Sequence, residues 1–136
     1  MKLIAVFLGL VIFNITFGQS SLFERSTHWR LYGITGSNLF KYRIDTLGSF
    51  PYAALTDDSI HYFLNDASVW PPGDPPVWMG SHIGTYIFEG IERKVDISLY
   101  GGFFFDEKSQ TYYQIADSKI DNWQSYIRRS FMRIKK

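Results

Sequence analysis

No cysteine occurs in the 136-residue sequence. That absence excludes disulfide staples, thiol nucleophiles, thiolate metal ligands and the lipid-modified cysteine of an exported lipoprotein. Histidine is scarce, with only His28, His61 and His82. A metal centre or a general base would have to unite at least two of these with carboxylates. Asp57 and His61 lie one helical turn apart, and His82 could supply a third ligand, but the spacing matches no metal-ligand pattern. No metal and no cofactor is therefore expected. Phosphate cradles are missing too, because no glycine-rich turn leads into a helix carrying Lys and Ser or Thr. Gly80-Ser81-His82-Ile83-Gly84 falls short of a nucleophile elbow, which needs a residue between the first glycine and the serine. The acidic pairs Asp57-Asp58 and Asp106-Glu107 fall at an expected helix start and an expected turn, where carboxylates are ordinary.

An excess of one charge is also lacking. Lys and Arg number 14 against 13 Asp and Glu, whereas a generic nucleic-acid binder is visibly basic. The balance is uneven along the chain: residues 119–136 carry Lys119, Arg128, Arg129, Arg133, Lys135 and Lys136 against Asp121 alone. Cations at a helix C-terminus complement its macrodipole, so this end reads as a solvated face.

No apolar run reaches the length of about 20 residues needed to cross a hydrocarbon layer of roughly 30 Å. The longest, Leu3–Phe17, follows Lys2 and closes on Thr16-Phe17-Gly18-Gln19. A cationic start, a short apolar middle and a small-residue exit form the layout of a secretory signal peptide. Residues 1–18 are expected to be removed after Gly18, with Ser20 and Ser21 as alternative cut sites. The product, residues 19–136, would work in the periplasm or outside the cell with no stable membrane anchor.

Aromatic residues are abundant, at 12 Phe, 9 Tyr and 4 Trp. Without disulfides they must supply the core, since burying one large apolar side chain contributes roughly 1.5 to 3 kcal/mol. Residues 28–34 and 39–46 alternate with period two around Gly36-Ser37-Asn38 and predict a β-hairpin. Thr56-Asp57-Asp58 starts a short helix ending near Asn65, expected at the edge of the sheet. Residues 83–89, 94–105 and 110–116 predict a three-stranded meander, one face packed and the other, with Asp96, Ser98 and Tyr100, wet. Gly101-Gly102 should mark a bulge or bend within the long strand. Asp117 or Ser118 caps a final helix whose stripe of Ile120, Trp123, Ile127, Phe131 and Ile134 must cover something apolar. The expected fold is α+β in one small domain: an antiparallel sheet of about five strands, hairpin plus meander, under the C-terminal helix.

Residues 69–78 hold four of the five prolines and can only be a loop. Trp70 and Trp78 flank its rigid centre, with Asp74 between the proline pairs. Average tryptophan burial argues that the indoles fold back and seal the core. Presented outward, they would form a contact surface at small entropic loss, extended by Tyr100, Tyr112 and Tyr113 on the meander. Three functions follow. The leading one is a non-enzymatic exported protein that binds a protein partner, as inhibitors and immunity proteins do. The others are a glycan-binding module using Trp70 and Trp78, and a small hydrolase using His61, His82 and Asp57.

Overall fold

The computed structural model describes residues 23–36 and 41–134. The expected leader, its cut site and the tip of the expected first hairpin lie outside the described residues. Seven strands form one antiparallel sheet: β1 (Thr27–Gly36), β2 (Tyr52–Ala54), β3 (Ser68–Val69), β4 (Ser81–Phe88), β5 (Ile91–Ser98), β6 (Phe103–Asp106) and β7 (Thr111–Gln114). Their spatial order is β2-β1-β4-β5-β6-β7-β3. Three α-helices lie wholly within the described residues, α1 (Ile44–Leu47), α2 (Asp57–Leu64) and α3 (Ile120–Met132), the last entered through a 3-10 turn at Asp117–Lys119. The fold is α+β as the sequence predicts, with two strands more than expected.

One added strand comes from the glycine pair. Gly101 and Gly102 both take positive φ, +81° and +70°, and reverse the chain between Ile97 and Phe104, which pair across the new hairpin. The expected bend is a full turn, and the expected long strand is β5 plus β6. Any side chain at Gly102 would meet Ile120 Cγ1 at 2.9 Å. The β4–β5 turn is tighter: Glu89 and Gly90 have φ of +52° and +77° between the paired residues Phe88 and Ile91, the signature of a two-residue primed turn.

The expected first hairpin does not form. Ile44–Leu47 is helical, and β1 pairs with β2 on one side and β4 on the other. Local alternation in 39–46 yields because Leu47, fully buried, joins Tyr32, Ile34 and Ile83 in a second small core. Thr56, not an aspartate, caps α2 by accepting from Ser59 N; Asp57 and Asp58 occupy its first turn. No side chain caps α3, whose N-cap is Lys119. Lys119 instead donates to the Tyr62 carbonyl at 2.7 Å and pairs with Asp66 at 3.1 Å, so this cation is tied to the C-terminal end of α2.

The main core lies between the sheet and the two longer helices. Leu31, Tyr86, Val95, Ile97, Phe104 and Tyr113 meet Ile60, Phe63 and Leu64 of α2 and Trp123 and Ile127 of α3. The short helix is thus a cover for this face and not an edge element. Trp29 stacks on Tyr86 at 4.5 Å, and its indole N–H donates to Ser26 Oγ. The opposite face is not wet as expected. Tyr100 is exposed, but Lys94, Asp96 and Ser98 are buried: α1 and its flanking segments turn back against β5 beside Lys94, and Ser98 is drawn into the turn after β5 by bonds to the Tyr100 carbonyl and the Phe103 amide. Lys94 Nζ lies 3.3 Å from Asp96 Oδ1 and also contacts Glu107 Oε2. Burial raises the Asp96 carboxyl above its ordinary range, against the lysine that opposes the shift.

Candidate functional site

Strand parity decides which aromatic rings share a face. Phe104 points to the helices, so Phe103 and Phe105 point the other way, and the register sets Phe105 beside Tyr112. Their rings lie 4.5 Å apart. β3 is only two residues long, but the Trp70 amide continues its pairing by donating to the Tyr112 carbonyl at 2.8 Å. That bond lays the Trp70 ring edge-on against Phe103 at 5.1 Å.

The proline-rich loop then folds over this end of the sheet. Gly73 reverses it with φ +88°, and the Trp70 indole N–H donates to the Asp74 carbonyl. Pro76 is buried. Trp78 closes the loop: its N–H donates to Ser81 Oγ at the start of β4, and its ring stands 5.8 Å from Tyr112. Both indoles are half-buried and belong to neither core cluster. Beside them, Val77 is 82% exposed and Met79 59% exposed.

Trp70, Trp78 and Tyr112 therefore come together on the face away from α2 and α3. Asp74 contributes its backbone carbonyl, and its carboxylate has no ion pair among the described residues. Tyr100 does not join them: no ring contact links it to the three, and it borders a cavity under α3 instead. Phe103, Val77 and Met79 complete the surface, and Phe105, buried at 8% exposure, backs Tyr112 from beneath. Two of these were legible in principle, since parity within Phe103-Phe104-Phe105 follows once the glycine turn is recognised.

The histidines are dispersed. His28, at φ +56°, occupies an irregularity in the β1–β4 register and bonds Thr27 Oγ1. His61 Nε2 donates to the Ser26 carbonyl at 3.1 Å, tying α2 to the entry of β1. His82 is buried in β4 with its ring 4.5 Å from Phe131, and burial lowers its pKa to about 4. No bond or ring contact joins His61, His82 and Asp57, and no group of three or more His, Asp or Glu able to hold a metal occurs among the described residues.

The acid that the fold does concentrate chemistry upon is Asp106, which ends β6 fully buried. It accepts from Tyr86 Oη at 2.6 Å, from Arg93 Nη2 at 2.6 Å, and from Ser109 Oγ and N at 2.6 and 3.1 Å. The expected turn carboxylate is thus the centre of an internal network. Burial and this hydrogen bond push the Tyr86 phenol well above its usual range. Three of these donors converge on Oδ2 and one on Oδ1, so the buried carboxylate ties β4, β5 and the β6–β7 turn together.

Comparison with known proteins found no matching family model, no matching curated protein and no matching solved structure.

Proposed function

We propose that this chain is an exported, non-enzymatic binding protein whose contact surface is the aromatic sheet face around Trp70, Trp78 and Tyr112, and whose partner is a protein of the envelope or the cell exterior. The observation that carries this reading is the pairing of half-buried indoles with the exposed aliphatic side chains Val77 and Met79 on one stiff loop. Rigid aromatic anchors and methionine, already held in place before contact, are what protein interfaces concentrate. A glycan platform would want free polar edges beside its rings. Here both indole N–H groups already donate within the loop and its junction, which favours a protein partner.

Two measurements test it. The Trp70→Ala/Trp78→Ala double variant should lose the partner that the wild-type chain retains from an envelope fraction, while its melting temperature falls by only a few degrees, about 1–2 kcal/mol. A collapse of stability would instead make the indoles structural. Saturable quenching of tryptophan fluorescence by a polysaccharide, with no protein retained, would replace this reading by the glycan one. Export predicts that intact-mass measurement on natively produced material finds a chain starting at Gln19; a soluble product starting at Met1 would remove the cellular setting.

A further inference from the structure

The chain has 4 tryptophans, and the fold matches the indole N–H of three: Trp29 to Ser26 Oγ, Trp70 to the Asp74 carbonyl and Trp78 to Ser81 Oγ. Trp123 differs. It is 1% exposed, and its Nε1 has no hydrogen-bond partner among the described residues. His82, 7% exposed, has an Nδ1 in the same condition. Unmatched buried polar atoms oppose folding. These two line one cavity of about 170 Å³ between α3 and the ends of β4 and β5, open to solvent on the side of Tyr100 and Arg128.

The remaining wall indicates what would satisfy them. Leu99, Ile127 and Phe131 give it an apolar lining, and Arg128 adds a guanidinium that enters no ion pair among the described residues. Burial keeps the His82 imidazole neutral down to about 4, so it offers a hydrogen-bonding edge and Arg128 the charge. A cavity of about 150 Å³ is known to accept a benzene ring. We infer that this cavity is a binding site for a small monocarboxylate with an aromatic or branched apolar body, its carboxylate received by the Trp123 N–H and Arg128 and its body by Leu99, Ile127 and Phe131. The site lies on the helix-covered side of the sheet, opposite the aromatic face, so it stands independently of the protein-binding reading.

Benzoate serves as the probe and benzamide as its uncharged counterpart, both titrated against the full chain. In nitrogen–proton correlation spectra each tryptophan gives one indole resonance. Benzoate should shift that of Trp123 saturably, leaving those of Trp29, Trp70 and Trp78 in place. Arg128→Gln, at an exposed position on α3, should weaken benzoate about tenfold and leave benzamide unchanged, as loss of one charged contact implies. Calorimetry on Trp123→Phe should show about a tenfold loss for both probes. If the Trp123 resonance does not move, or moves without saturating, the cavity belongs to water and the inference fails. Equal benzoate affinity in Arg128→Gln and the wild type also overturns it, and that variant leaves the core untouched.

Discussion

Replacing Asp106 by alanine should lower the unfolding free energy by about 3–5 kcal/mol, the range for breaking a buried ion pair from one side. Its side chain is 1% exposed and that of Arg93 12%, so water cannot readily take over the four hydrogen bonds the carboxylate accepts. The substitution strands the Arg93 guanidinium, the Tyr86 hydroxyl and Ser109 together. It also loosens Tyr86, on which Trp29 stacks. Urea titration at fixed pH measures the loss as a shift of the midpoint. Removing both charges, as in Asp106→Leu with Arg93→Met, should recover part of it, because no buried charge is then left alone. A loss below about 1 kcal/mol in Asp106→Ala would mean that the network contributes little beyond a surface ion pair.

Acid should act on His82 in a defined window. The unfolded chain takes up a proton on this residue near 6.5, and the folded chain resists until about 4. Between those values the unfolded state binds more protons, so stability rises with pH through the window and the His82 contribution is fully present above it. The shift corresponds to about 3 kcal/mol lost on acidification across the window. Phe131, Trp123, Ser98 and the Arg128 guanidinium share its cavity, and among the described residues no carboxylate lines it to stabilise the cation. Asp96 works in the opposite sense, its raised pKa favouring the folded state at low pH. Comparison with His82→Leu separates the two. Urea melts across the series should show the wild type falling faster than the variant as pH drops, and parallel curves would exclude a neutral, buried His82.

Both effects depend on residues whose importance was hidden in the sequence. Asp106 stands next to Glu107 in a run of turn-forming residues and reads as one more turn carboxylate. Only the β4–β5 register, which pairs Tyr86 with Arg93, and the β5–β6 register, which pairs Val95 with Asp106, bring the three together. His82 was legible as a lone histidine but not as a buried one, because its burial comes from Phe131 at the far end of the chain. Asp96 and Lys94 mislead in the same manner: they alternate with Val95 and Ile97 like a solvated face, and a segment some fifty residues upstream covers them.

The aromatic surface was partly readable. Trp70 and Trp78 announce themselves because proline stiffness and tryptophan size are properties of the local chain, and Tyr112 lies in a clear strand. Tyr100 looked equivalent by alternation, but the reversal at Gly101-Gly102 sends it to the other side of the sheet's end. Phe103 and Phe105 could not be assigned a face until that reversal fixed their parity.

By itself the sequence determined what depends on neighbours a few positions apart. These features are the α3 stripe, the short α2, a turn near Gly90, the proline loop and the α+β class. It also determined that, without cysteine, packing alone must hold the fold. The tertiary structure decided what depends on long-range contact: the fate of residues 41–47, the burial of Lys94 and Asp96, the Asp106 network and the cavity shared by His82 and Trp123. The reason is physical. Local dihedral preference and amphipathic period differ by tenths of a kcal/mol per residue, whereas burying Leu47 or pairing Asp106 is worth several times more and is realised only when distant segments meet.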